Sequence, residues 1–405
     1  MFNDKNRDLL TIIFVVVVVF VTGILVWGGV GLYKKYYSTK HASNNLKTEN
    51  NIENQTIKDN ETDNTIDITI ADKITFPTSS ENIMVVPTMR DEITTDSTWC
   101  GTFQLVWNDM KNEIVKKDVI FTPQEKMVNN LNKEEFTQEM LSDEYYFKIY
   151  GLKSLELKGK IEKGIKEKFN QESDVLEDFD WSPSELDDPN NANVRRYFFY
   201  VMLYRKFEYL QEFDKLENGK FGDKYNNIEY FGINRSIKNS VGNQIDVLYY
   251  NSQDDFAIVI NTKTNDEVIF CKNPKGNTFI EIYENMNKET EQYKGSKEFK
   301  DVDEFMAPKL TFNEKREYKE LQDKEFNTAD GKRAKIEKAI QTVQFSLDEK
   351  GGEIKSKAAI DAIVIQSIDE PRYFYVDDTF AIFLREKGKK VPYFAGRIED
   401  ITKFQ

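Results

Sequence analysis

Histidine, cysteine and paired carboxylates are the side chains whose chemistry could act on a substrate, and the first two are scarce here. The one histidine is His41, in a polar stretch just beyond a long apolar run. No site with two imidazoles can form, and no Ser-His-Asp or Cys-His pair can form inside a folded domain. Cys100 and Cys271 are the only cysteines, so one disulfide is possible and a dense cross-linked framework is not. Cys100 has no histidine base to make it a nucleophile, and the expectation is a buried structural cysteine on an aromatic helix face. Adjacent acids recur at Glu134-Glu135, Asp187-Asp188, Asp254-Asp255 and Asp377-Asp378. In a chain this acidic they read as solvated faces or turns, with no partner for acid–base work. Gly219-Lys-Phe-Gly222 lacks the spacing of a phosphate-cradling loop. The expectation is a protein that is not an enzyme and holds no metal or cofactor.

The chain must therefore act through shape. Its 405 residues are 39% hydrophobic and 13% aromatic, with 29 Phe and 20 Tyr, enough for a sizeable core. A net charge of −14 excludes a nucleic-acid binder, which needs clustered Lys and Arg. Leu9 to Tyr33 carries no charge and, as a helix, spans about 38 Å, enough for a bilayer. Trp27, Tyr33, Tyr36 and Tyr37 suit an interfacial belt. A cleaved signal peptide is the rival, but the run is long for one and Lys34-Lys35 occupy the cleavage position. The basic residues flanking the run are nearly balanced and lean slightly towards a cytoplasmic domain. The expected organisation is a short tail at 1–8, a transmembrane helix at 9–33, a flexible polar linker at 34–78 and one domain at 79–405. The linker is rich in Asn, Asp, Glu, Lys and Thr and cannot bury enough to order itself. Its sequons at Asn54 and Asn60 are most simply chance in so Asn-rich a stretch.

Within the domain the patterning puts helices first. Ser97 is placed to cap a helix carrying Trp99, Phe103, Val106, Trp107 and Met110. Asn132 and Glu135 sit at capping-box spacing ahead of Phe136 and Met140, with Gly151 as the stop. Leu157, Ile161, Ile165 and Phe169 mark a third helix. Strand-like runs follow at Tyr197–Tyr204, Ile245–Tyr250, Phe256–Ile260, Glu267–Cys271, Phe305–Phe312, Thr342–Leu347, Phe380–Leu384 and Pro392–Ile398. This order predicts an α+β domain with mostly antiparallel sheets.

The last sixty residues carry the most information. Gly352, Ile354, Ser356, Ala358, Ile360 and Ala362 form a small or apolar face, while Glu353, Lys355, Lys357 and Asp361 fall on the other. That is the period of a half-buried strand. Alternation alone equally fits an edge strand that is permanently paired.

Leu347-Asp-Glu-Lys-Gly351 with Glu353, then Val376–Arg385, then Tyr393–Ile398 resemble the end of a serpin: hinge entry, first closing strand, second closing strand. Tyr204-Arg-Lys-Phe-Glu, Phe213-Asp, Gly219-Lys-Phe and Gln244–Ile260 extend the likeness upstream, and Asn82–Pro87 is similar to the family's N-terminal strand. The resemblance implies a serpin-like fold with a long C-terminal reactive loop. It implies a protease inhibitor that works by loop cleavage and insertion, its partner a serine or cysteine protease. Matching the loop's end places the scissile bond at Ile365-Gln366. The hinge residues are Glu349, Gly351, Gly352, Ile354, Ser356 and Ala358. Where proteases are met, the domain faces outward from the membrane. The chain departs from the family at Ile354, Lys355 and Lys357 in the hinge. Phe207 stands for a hallmark tryptophan, Gln341 for a histidine that bonds across the opening sheet, and Val201 or Met202 for its asparagine partner. A non-inhibitory binding or structural protein that keeps the fold, with another surface protein as partner, is the alternative.

Overall fold

Runs such as Phe380–Leu384 and Val268–Cys271 are apolar at successive positions, which a strand tolerates only when both its faces are covered. These runs lie at the centre of a seven-stranded sheet. The structure is a computed structural model that describes residues 83–171, 176–177, 179–181, 194–233, 240–350 and 370–405. All belong to one unit, Ala71–Gln405. The expected tail, transmembrane helix and linker at 1–78 lie outside the described residues. Among those described, no helix is long and apolar enough to cross a membrane.

In chain order the strands are β1 (Met84–Val86), β2 (Ser97–Cys100), β3 (Tyr146–Leu152), β4 (Arg195–Arg205), β5 (Asp214–Lys215), β6 (Gly219–Phe221), β7 (Tyr225–Ile228), β8 (Tyr230–Ile233) and β9 (Ile245–Ser252). Then come β10 (Asp255–Asn261), β11 (Asp266–Lys272), β12 (Glu304–Pro308), β13 (Leu310–Glu317), β14 (Glu325–Asn327), β15 (Arg333–Leu347), β16 (Tyr373–Tyr375), β17 (Phe380–Glu386) and β18 (Phe394–Ile398). The helices are α1 (Thr102–Asp109), α2 (Lys126–Leu131), α3 (Leu155–Phe169) and α4 (Phe279–Gln292). The seven-stranded sheet runs β1-β2-β18-β17-β11-β10-β9 and is antiparallel except at β1–β2. A second sheet runs β13-β15-β4-β3, with β14 beside the start of β15. A third runs β16-β12-β8-β5, and β6–β7 is a separate hairpin.

Helix α3 follows directly from its residues. Ser154 accepts a hydrogen bond from the Leu157 amide and starts it, and Asn170 in the left-handed region (φ 53°) ends it. Leu157, Ile161 and Ile165 face the second sheet, against Phe198, Tyr200, Met202 and Ile340. The opposite face of that sheet presents Phe199, Val201 and Ala339 to Phe103, Val106, Trp107 and Met110, which α1 and the π-helical turn after it (Met110–Val115) supply. At one end of the sheet Leu203, Val343, Phe345 and Leu347 enter the main core with the seven-stranded sheet.

Three expectations are corrected. Ser97 and Trp99 lie in β2, not in a helix, because Ser97–Cys100 pairs with β18. That cross-strand pairing outweighs local propensity, and the helix begins only at Thr102. No helix spans Asn132 to Gly151. Instead α2 ends at Leu131, the ring of Phe136 packs hard against Gly101 where a Cβ would lie 2.6 Å from it, and Gly151 sits inside β3. The run Phe305–Phe312 breaks at Lys309 into β12 and β13, which belong to different sheets. Helix α4 was not expected, although Thr278 caps it at the Glu281 amide. The expected closing strands are present as β17 and β18, both buried in the main core.

Truncation of Ile161, which is fully buried, should cost about 2–5 kcal/mol. Removing the exposed Lys163 side chain from the same helix should cost less than about 0.5 kcal/mol. Urea unfolding of Ile161→Ala and Lys163→Ala checks the contrast.

Candidate functional site

A strand can enter a sheet only where two neighbours can part, and the pairing pattern singles out one seam. Strands β4 and β15 are parallel and adjacent over eleven register pairs, from Ala334↔Arg195 to Phe345↔Arg205, with an irregularity between Ile336 and Lys338. Their outer neighbours, β3 and β13, pair antiparallel. Parallel pairing is slightly weaker per residue. A strand arriving antiparallel would replace one parallel pairing by two antiparallel ones.

The chain leaves β15 at Leu347, at the Phe345↔Arg205 end of this seam. Of the expected hinge residues, Glu349 is described. Its backbone carbonyl accepts from the Phe213 amide at 2.8 Å, and its carboxylate pairs with Lys309 at 2.9 Å. Burial pushes the Glu349 carboxyl up, but the Lys309 ammonium and backbone hydrogen bonding outweigh it and hold it below the ordinary value. Gly351, Gly352, Ile354, Ser356, Ala358, Ile365 and Gln366 lie outside the described residues.

The far end of this segment is fixed by Arg372. It grips the fully buried Asp303 through Nε at 3.2 and 3.3 Å and through Nη2 at 2.6 Å. Nη1 donates to the Ser296 carbonyl at 2.7 Å, Nη2 donates also to that of Glu298, and the guanidinium lies 5.2 Å from the Phe374 ring centroid. Beyond it, β16 pairs with β12. Arg372 and Asp303 gave no signal in the sequence, because their meeting depends on a third sheet.

The departures from the family pattern have a physical place. Gln341 is opposite Val201, so no side-chain bond forms there across the seam. Its amide turns beneath the sheet, donating to the Cys100 carbonyl at 3.0 Å and Thr102 Oγ1 at 2.9 Å and accepting from Tyr318 Oη at 2.7 Å. On the α3 side, Tyr200 Oη and Thr342 Oγ1 share a hydrogen bond at 3.2 Å across the seam. Phe207 is fully buried, edge-on to Phe345 at 5.8 Å. Cys100 and Cys271 are both free and buried, and burial pushes each thiol up to about 11, far from a reactive thiolate.

Two predictions follow from this geometry. Glu349 has a depressed pKa, so its pairing stabilises the fold above the unfolded glutamate pKa of about 4.3 and is lost as pH falls through the lower folded value. The gap in melting temperature between wild type and Glu349→Gln should hold from pH 8 to 6 and close below about pH 4. Gln341→Leu leaves the buried Tyr318 Oη without its acceptor and removes one of the hydrogen bonds of Thr102 Oγ1, and should cost about 2–4 kcal/mol by urea unfolding.

Comparison with known proteins agrees with the resemblance at this end of the chain. Residues 277–401 match the family model described as Serpin (serine protease inhibitor). A search of curated protein sequences finds no match. Among solved structures, the chain is similar to Tengpin, a thermophilic serpin, at 10% identity and a TM-score of 0.46, with 77% of this chain and 90% of that one covered. It is similar to the mouse protein-Z dependent protease inhibitor at 12% identity and a TM-score of 0.42, covering 76% and 91%. Serpin48 of the insect Tenebrio molitor is similar at 13% identity and a TM-score of 0.40, covering 76% and 92%. At such low scores, residues 277–401 are what carries the serpin assignment.

Proposed function

We propose, taking the serpin assignment of residues 277–401 as the premise, that this protein is a protease inhibitor displayed on a membrane by its N-terminal apolar helix. The observation that supports it is the parallel β4–β15 seam, with the chain leaving β15 beside it and a face-sorted segment next in sequence. In this reading the protease's serine oxygen or cysteine sulfur attacks the Ile365 carbonyl. The Ile365–Gln366 peptide bond breaks, and the Gln366 nitrogen leaves as an amine carrying a proton. An acyl-enzyme remains on Ile365. The freed strand then enters the seam antiparallel before water can hydrolyse the acyl bond. Gly352, Ser356, Ala358 and Ala362 fit beneath a closed sheet, Ile354 and Ile360 on the same face need space there, and Lys355 and Lys357 face the other side. The apolar Ile365 favours elastase-, chymotrypsin- or subtilisin-like enzymes. Seam entry over eleven residues carries the strand about 36 Å along the sheet.

A second reading has its own support. Gln341 is committed beneath the sheet and both faces of the seam are covered, which favours a closed sheet that no longer opens. The protein would then be a surface binding or structural protein that keeps the fold.

Incubation of the chain with serine and cysteine proteases separates the two. Inhibition gives a complex that survives denaturing electrophoresis, with a new terminus at Gln366, within a residue or two. Clean cleavage near residue 365, with no complex and no rise in melting temperature, leaves the second reading. Deleting residues 1–33 should move the protein from the membrane fraction to the soluble one, and added protease should reach the domain on intact cells. A deletion that leaves it sedimenting with membranes contradicts the anchor.

A further inference from the structure

The seam ends at the pair Arg205↔Phe345, and the two strands are held there by different chemistry. On the β15 side the contact is apolar. Phe345 packs on Phe207, on Phe312 at 4.6 Å and on Phe394 of β18 at 4.8 Å. On the β4 side it is ionic. Arg205 is the last residue of β4, and its Nη2 donates to the fully buried carboxylate of Asp266, the first residue of β11, and to the Thr264 carbonyl. Its guanidinium lies 3.5 Å from the Tyr145 ring centroid. Tyr393 Oη donates to the other Asp266 oxygen at 2.9 Å. Neighbouring residues, Tyr393 and Phe394, thus serve the two sides of the seam.

The ionic side hangs on a single side-chain nitrogen. Nε of Arg205 is buried and meets no acceptor among the described residues, so Nη2 carries the hydrogen bonds that tie β4 to the seven-stranded sheet. Asp266 also stands opposite Glu386 in the β11–β17 register, and the Glu386 carboxylate is bonded separately by the Ser142 amide and hydroxyl at 2.8 and 2.6 Å. Without Arg205, the fully buried Asp266 carboxyl loses the guanidinium paired with it, and with it the buried ion pair. Such a pair has strong sensitivity to loss of one member and little to loss of both.

We propose that the Arg205–Asp266 pair is the latch of the seam: β4 leaves β15 at the Arg205–Phe345 end only when this pair parts. The proposal rests on reading the seam as a place where a strand enters, and it names what sets the rate of entry. Arg205 acts here through β4, as a positioning residue.

Backbone amide hydrogen exchange on the full chain tests it without any protease, so failure of the inhibition assay and failure of the latch are separate results. In Arg205→Met, exchange at β4 residues 199–205 and β15 residues 341–347 should rise about 100-fold or more. The remote edge strand β9 should be unchanged. The double variant Arg205→Met with Asp266→Asn should return to within about tenfold of wild type. Where Arg205→Met does not fold, Tyr393→Phe, which removes one hydrogen bond to Asp266, should give the same regional pattern at about fivefold. Equal acceleration in β9 makes the pair a general stabiliser and overturns the latch. So does an unchanged seam, or a double variant as fast as the single one.

Discussion

The parallel pairing of β4 with β15 is the constraint on which the rest of the molecule turns. Antiparallel neighbours can be joined by a hairpin, but parallel ones need a crossover, and here the chain between them supplies β9, β10 and β11 to the seven-stranded sheet and β5, β8 and β12 to the four-stranded one. The seam therefore has no covalent turn at either end. What keeps it closed is its own hydrogen bonding, the two apolar layers on its faces and the anchors at its end.

The layers differ in kind. Beneath, α1 and the turn after it press Phe103, Val106 and Trp107 into Phe199 and Val201, and Gln341 ties β15 to Cys100 and Thr102. Above, α3 lies across Phe198, Tyr200 and Met202 through Leu157, Ile161 and Ile165, with Phe169 at its end, and its outer side is largely charged. Mutual i,i+4 pairs such as Lys160–Glu156 sit on its solvent side and add little. The anchors nearby differ in kind too: a partly exposed ion pair at Glu349, an aromatic cluster at Phe345 and, where the chain re-enters the fold, a half-buried guanidinium at Arg372.

Much of this was legible in the sequence where one residue type decided the local outcome. Leu157, Ile161 and Ile165 fixed α3, and the β9, β10, β11, β17 and β18 runs were apolar enough to read as strands. The misreadings share a cause. Ser97 looked like a cap and Trp99 like a helix face until pairing with β18 claimed them. Lys309 was hidden inside an apolar run, yet it divides two sheets and pairs with Glu349. Of the candidate hinge, Glu349 was found by resemblance, but its partner Lys309, the Asp303–Arg372 grip and the Arg205–Asp266 pair were not. They join residues 40 to 69 positions apart, and no local pattern marks them.

The most direct test of the seam is a crystal structure of the chain after cleavage within residues 351–369. If the seam receives a strand, β4 and β15 lie about 9.6 Å apart, two interstrand spacings, with a third strand antiparallel between them. Should Ile340 still pair with Tyr200 and the cut segment hang outside the sheet, strand entry is not what this seam does.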